Sequence, residues 1–177
     1  MEENRPIRVA LAGNPNCGKS TIFNALTGAH QHVGNWPGKT VEKKEGLYQA
    51  GSVTLEIVDL PGAYSLTAYS LEEIITRDYI LQEHPDVIVS VVDAANLERN
   101  LYMTIQLLEL EVPVVIALNM ADLAESRGIQ IDDQRLSQAF KSPVVRTVAS
   151  NGKGIPQLVE AILRARRIPE HEVNHAA

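Results

Sequence analysis

The chain predicts an α/β fold in three layers: a six-stranded, mostly parallel sheet with one antiparallel strand, and helices on both faces. Two observations carry this. Apolar, β-prone runs alternate with segments whose apolar residues recur at helical spacing, the pattern of parallel strands joined by crossover helices. One pair of runs is separated by only three residues, too few for a crossover, so it forms a hairpin and is antiparallel.

The elements follow in order. Ile7-Arg8-Val9-Ala10-Leu11-Ala12 is the first strand, and Ile22, Phe23 and Leu26 mark the first helix, with Thr27-Gly28 as its C-cap. From Ala29 to Lys39 periodicity disappears, and His30, His32, Gly34, Asn35, Trp36, Pro37 and Gly38 read as an irregular loop. Val41 to Gln49 and Val53 to Val58 are the hairpin strands, joined at Ala50-Gly51-Ser52. Ser70-Leu71-Glu72-Glu73 has capping-box spacing and opens a helix to about Gln82. Val87 to Val92 is a continuous apolar run, as expected of a strand covered on both faces. Leu97 to Glu111 is a helix with Leu101, Ile105 and Leu108 on one side. Val112 to Leu118 is another buried strand, Asp132 to Lys141 a helix presenting Leu136 and Phe140, and Val144 to Val148 the last strand. Gly154-Ile155-Pro156 starts the final helix, where proline needs no N–H, and Ile155, Leu158, Val159, Ile162 and Leu163 form its buried stripe.

Composition narrows the class. The 177 residues suit one domain with a full core, and 45% hydrophobic with 21% charged residues is ordinary for a globular protein. No apolar run approaches the roughly 20 residues of a membrane span. Met1-Glu2-Glu3-Asn4-Arg5-Pro6 is polar and carries no signal pattern. A net charge of -6 argues against a sequence-independent nucleic-acid binder. The single cysteine, Cys17, rules out an intrachain disulfide and fits a reducing compartment. His30, His32, His84, His171 and His175 lack metal-ligand spacing. There is no internal repeat.

The chemistry gathers where strands end. Gly13-Asn14-Pro15-Asn16-Cys17-Gly18-Lys19-Ser20 matches G-x-x-x-x-G-K-[ST] between a strand and a helix. Its successive N–H groups and the helix N-terminus suit a polyphosphate, with Lys19 on the β- and γ-phosphates and the Ser20 hydroxyl on Mg²⁺. Cys17 is expected to face away from the ligand. Asp59-Leu60-Pro61-Gly62 closes an apolar strand, so Asp59 can hold a metal-bound water and the Gly62 N–H can meet the γ-phosphate. Asn119-Met120-Ala121-Asp122 follows a buried strand as the base-reading element. The Asp122 carboxylate can accept from guanine's ring N1–H and its exocyclic amine, which adenine cannot match. Asn119 would tie this segment to the phosphate loop, and in Val148-Ala149-Ser150 the Ala149 N–H would meet guanine's carbonyl oxygen. In such sheets ligands sit beyond the carboxyl ends of the strands, where all these motifs fall.

Together these stretches resemble the translation-factor class of small GTPases, and most closely the cytosolic G domain of the FeoB-type ferrous-iron transporters. The likeness runs to about Arg167. It includes Val33-Gly34-Asn35-Trp36-Pro37-Gly38-Lys39-Thr40-Val41-Glu42, Asp59 through Leu66, and Val92-Asp93-Ala94-Ala95-Asn96-Leu97-Glu98-Arg99-Asn100-Leu101, a run with no evident part in nucleotide chemistry. The resemblance implies a P-loop GTPase fold: a GTP-binding domain over residues 1–168, then a flexible tail, 169–177. Thr40 becomes the first-switch threonine on Mg²⁺, and Asp59 to Ser70 the second switch. The nucleotide-binding set grows to include Thr21, Gly38, Lys39, Val41 and Glu42, and Lys19, Asn16, Thr40 and Gly62 are its catalytic members. Asn16, with the Gly34 and Trp36 carbonyls, would hold K⁺ beside the phosphates.

Ala63 stands where Ras-like proteins carry a water-orienting glutamine, which implies slow hydrolysis. Met120 replaces a lysine along the base, which implies weaker nucleotide retention. Trp36 is expected to pack on the switch rather than serve a partner. The implied ligands are GTP and GDP. The implied partners are the helical and transmembrane parts of the same transporter at the cytoplasmic face of the inner membrane, with a homo-oligomer through the switches and no nucleic acid. This chain alone would be cytoplasmic, since it carries neither the helical domain nor the membrane spans. Two rivals stand beside this reading: a nucleotide-sensing module without turnover, and an RNA- or ribosome-associated GTPase, which would need a basic appendage that no segment supplies.

Overall fold

Seven strands, one more than the sequence predicts, form a single sheet in the computed structural model, which describes residues 5–166. The strands are β1 (Ile7–Gly13), β2 (Gln31–Asn35), β3 (Glu42–Ala50), β4 (Val53–Asp59), β5 (Val87–Asp93), β6 (Val114–Asn119) and β7 (Val144–Arg146), in the spatial order β2-β3-β4-β1-β5-β6-β7. β1 pairs in parallel with β4 and β5, β5 with β6, and β6 with β7. β3 runs antiparallel to both its neighbours and is the one reversed strand. The expected tail, the domain limit at 168, and His171 and His175 lie outside the described residues.

The extra strand corrects the loop read between Ala29 and Lys39. Residues 31–35 pair with Glu42 to Gly46 through their backbones, and all five are exposed. An edge strand with neither face covered leaves no hydrophobic alternation to detect.

The helices are α1 (Lys19–Thr27), α2 (Leu71–Glu83), α3 (Leu97–Leu108), α4 (Ala121–Ser126), α5 (Asp133–Phe140) and α6 (Ile155–Arg166). α1 and α6 cover one face of the sheet, where Phe23, Leu158 and Ile162 meet Leu11, Ile57 and Val89. α2 and α3 cover the other, where Ile80, Met103 and Leu107 meet Ala10, Ile88 and Ile116. Alternate residues of β1 therefore serve opposite cores, as the two-residue side-chain period requires. The capping box at α2 forms: Ser70 Oγ accepts from the Glu73 N–H at 3.1 Å, and the Glu73 carboxylate accepts from the Ser70 N–H at 3.4 Å.

Two further expectations need correction. α3 buries Asn100, Met103, Thr104 and Leu107, whereas Ile105 is 46% exposed and Leu101 and Leu108 are half-buried. Leu101 and Leu108 still pack against the core, and the polar pair Ser90 Oγ and Thr104 Oγ1 lies inside it, 2.9 Å apart. In α6 the stripe is as read, except that Ala165 is buried and Leu163 only half-buried. The arrangement leaves Gly13, Asp59, Asp93 and Asn119 as the last residues of β1, β4, β5 and β6, along one edge of the sheet.

Candidate functional site

The loop after β1 is shaped by two left-handed residues, Asn16 (φ 62°) and Gly18 (φ 86°). At Gly18 glycine is required twice over, because a Cβ there would also run into Asn119 Nδ2. No side chain caps α1, so the first-turn N–H groups stay available to a ligand at the positive end of the helix. Lys19 is 8% exposed and its ammonium is ion-paired with Asp59 Oδ1, while Ser20 Oγ donates to Asp59 Oδ2 at 3.0 Å. β1 and β4 are neighbours with Leu11 opposite Asp59, so parallel pairing delivers this carboxylate to the loop. A hydroxyl and a carboxylate so close together are hard oxygen donors of the kind Mg²⁺ prefers.

Cys17 is buried in the α1-side core, and burial pushes its thiol up to about 11 against the opposing pull of the Lys19 charge. Its side chain is directed into that core. Pro15 and Asn16 are exposed at the lip, Thr21 is exposed on α1, and Asn14 is buried with its Nδ2 donating to the Arg99 carbonyl at 3.4 Å.

Asp59-Leu60-Pro61-Gly62 is stitched to the same loop. The Leu60 N–H donates to the Leu11 carbonyl and the Ala63 N–H to the Gly13 carbonyl, each at 3.1 Å. A Cβ on Gly62 would stand 3.0 Å from Pro15 Cα, a tight contact that favours glycine here too. Ala63 is 2% exposed and packs into the α2-side core. Beyond it, the Glu73 carboxylate gathers the loop expected to be the second switch, accepting from Ser65 Oγ at 2.8 Å, the Tyr69 N–H at 3.0 Å and Thr67 Oγ1 at 3.5 Å. Those bonds, the Ser65 one foremost, hold its carboxyl below its usual value. The sequence shows Glu73 as a capping residue only.

Asn119 joins three segments. Its Nδ2 donates to the Cys17 carbonyl at 3.1 Å, and its Oδ1 accepts from Thr147 Oγ1 at 3.0 Å and from the Ala149 N–H at 3.1 Å. The expected tie from Asn119 to the phosphate loop is therefore present, and Thr147 is a member that the sequence reading missed. Met120 adopts φ 57°, turning the chain so that α4 begins at Ala121 and the exposed Asp122 falls in its first turn. Ser150 is exposed in the turn Ala149–Asn151, and the Val148 N–H donates to the Lys153 carbonyl at 2.9 Å.

The stretch expected to form the first switch lies partly in the sheet. Gly34 stands opposite Lys43, the Trp36 carbonyl accepts from the Lys39 N–H at 2.9 Å, and the Val41 carbonyl accepts from the Trp36 N–H at 2.9 Å. Gly38, Lys39 and Thr40 are exposed within this turn, and Glu42 opens β3. Trp36 is 7% exposed: its ring meets Tyr79 of α2 edge-on at 5.5 Å, and Lys43 Nζ lies 5.1 Å from its centroid. It packs rather than projects, as expected, but the ring contacts are with α2 and β3. Among the described residues no group of three or more His, Cys, Asp or Glu side chains could hold a metal ion, and no helix is long and apolar enough to cross a membrane.

Residues 7–162 match the family model of ferrous iron transport protein B. The chain belongs to that family. Among FeoB relatives, the Fe(2+) transport protein A/Fe(2+) transporter FeoB fusion protein of Porphyromonas gingivalis is 54% identical over 158 residues, 89% of this chain and 19% of the relative. The FeoB G-domain of Methanococcus jannaschii superposes with a TM-score of 0.83 at 47% identity, covering 93% of this chain and 100% of that one. The cytosolic domain of the T. maritima FeoB iron transporter in its GMPPNP form gives 0.89 at 43% identity, covering 92% of this chain and 64% of that one. The fold is thus the P-loop GTPase fold of FeoB cytosolic G domains. The chain spans only 19% to 23% of the length of the first curated FeoB relatives.

Proposed function

We propose that this domain binds GTP and GDP, hydrolyses GTP slowly, and serves as the switch of a ferrous-iron transporter at the cytoplasmic face of the inner membrane. The observation that carries the proposal is the convergence of Lys19 and Ser20 on Asp59 at the mouth of an uncapped helix. The family's GMPPNP-bound relative supports it.

The loop N–H groups and Lys19 bind the phosphates, and Gly62 offers its N–H to the γ-phosphate. Asp122 accepts from guanine's two N–H donors, and Ala149 turns its N–H from Asn119 toward the base oxygen. Mg²⁺, held by Ser20, Thr40 and Asp59, would neutralise phosphate charge. Ala63 cannot orient water, so backbone groups of the first switch must do so, and turnover is slow. Asn16, exposed at the lip, would hold K⁺ once Gly34 and Trp36 leave the hairpin and offer their carbonyls. Release of that hairpin would pass the nucleotide state to the helical and transmembrane parts of the transporter, or to a second copy.

The experiment is multiple-turnover GTP hydrolysis by this chain and by Asn16→Ala, in potassium and in sodium. A rate in potassium that exceeds the sodium rate, and that Asn16→Ala loses, is expected. Equal rates in all conditions would remove the potassium part, and turnover no faster than in buffer, with binding retained, would leave a nucleotide sensor.

A further inference from the structure

The run from Val92 to Leu101 supplies no group to the nucleotide chemistry set out above, yet its middle touches both elements that would sense a γ-phosphate. The Arg99 carbonyl accepts from Asn14 of the phosphate loop at 3.4 Å. The Arg99 guanidinium lies 4.7 Å from the ring centroid of Tyr64, two residues beyond Gly62 in the second switch. Asn100 is buried and anchored twice: its Oδ1 accepts from the Asp93 N–H at 3.3 Å, and its Nδ2 donates to the Asn96 carbonyl at 2.9 Å. Two turns along α3, Gln106 Oε1 accepts from the Leu66 N–H at 2.8 Å. The backbone of Arg99 is thus tied to the phosphate loop and its side chain to the second switch, while Asn100 fixes the residue in place.

We infer that Arg99 is a positioning residue that holds the second switch where the Gly62 N–H can reach a γ-phosphate. The inference rests on the function proposed above. An unanchored switch must be ordered when the γ-phosphate binds, and that ordering costs affinity. GDP has no γ-phosphate and so is indifferent to the tether. Tyr64 is 48% exposed and Arg99 is exposed, so removing either side chain opens no core.

The test is the ratio of GMPPNP affinity to GDP affinity, measured by calorimetry with Mg²⁺ for the wild-type chain and for Arg99→Ala, Arg99→Lys, Tyr64→Ala and the Arg99→Ala/Tyr64→Ala double variant. Glu98→Ala is the control. Arg99→Ala should lower the ratio about threefold, the worth of an exposed cation–π contact, with GDP affinity unchanged. Arg99→Lys should restore most of it, and the double variant should be no worse than either single one. A merely structural role would lower both affinities together and leave the ratio intact, and that result overturns the inference. Additive single effects, or no recovery with lysine, would overturn it as well. A wild-type chain that holds neither nucleotide would instead overturn the functional proposal, and this inference with it.

Discussion

Asn119, the last residue of β6, donates through Nδ2 to the carbonyl of Cys17 at 3.1 Å, across 102 positions of sequence. The segment proposed to read the base is therefore tied to the phosphate loop, and Thr147 and Ala149 bond to the same side chain. Asn119→Ala would leave the Cys17 carbonyl, the Thr147 hydroxyl and the Ala149 N–H without their partner in a site that is 3% exposed. Stability should fall by about 2–3 kcal/mol, and guanine-nucleotide affinity by at least about tenfold. Chemical denaturation and calorimetry read the two effects separately.

Asp59 and Lys19 compensate each other, at 7% and 8% exposure. Removing one member of such a buried pair strands the other charge, at a cost of about 3 kcal/mol. Asp59→Ala should therefore melt below the wild type. GDP added without Mg²⁺ should raise its melting temperature by more than it raises that of the wild type, because the phosphates then supply the anion that Lys19 lacks. Equal shifts in the two proteins would speak against the pair. Mg²⁺ should strengthen GDP binding to the wild type and not to the variant.

Glu73→Gln should destabilise the chain by about 1–2 kcal/mol at pH 7, since the Ser65 hydroxyl and the Tyr69 N–H lose a charged acceptor. The carboxyl is held below its usual 4.5, so its stabilising effect is complete above that value and is lost as pH falls through the lowered one. Wild type and variant should converge in acid. Urea midpoints measured from pH 7 down to pH 3 check this.

Cys17 should resist thiol reagents at pH 8. With its thiol at about 11 and the side chain 1% exposed, under about 1% is thiolate, and none of it is accessible. Labelling with a disulfide reagent should proceed only as fast as the chain unfolds, and denaturant should accelerate it by orders of magnitude.

Much of this was legible in the residues themselves. The phosphate loop, Asp59 and Asn119 could be placed because parallel strands bring their carboxyl ends to one edge, and each motif follows an apolar run. β2 was not legible, because Gln31–Asn35 is an exposed edge strand made by backbone pairing alone. The buried face of α3 was legible only in part, for the opposite reason: Leu101 and Leu108 do pack on the core, but Asn100 and Thr104 are buried by hydrogen bonds, and counting apolar residues cannot find buried polar ones. The gathering of Ser65, Thr67 and Tyr69 onto Glu73 depends on how a loop folds back over a helix N-terminus, which no periodicity encodes.

The most direct measurement is equilibrium binding of GDP and ADP, each with Mg²⁺, to the wild-type chain and to Asp122→Asn. GDP should bind at least about a hundredfold more tightly than ADP, because the Asp122 carboxylate finds both its donors only on guanine, and Asp122→Asn should lose most of that preference. Equal affinity of the wild type for the two nucleotides, or uptake of neither, would contradict the assignment of this sheet edge as a guanine-nucleotide site.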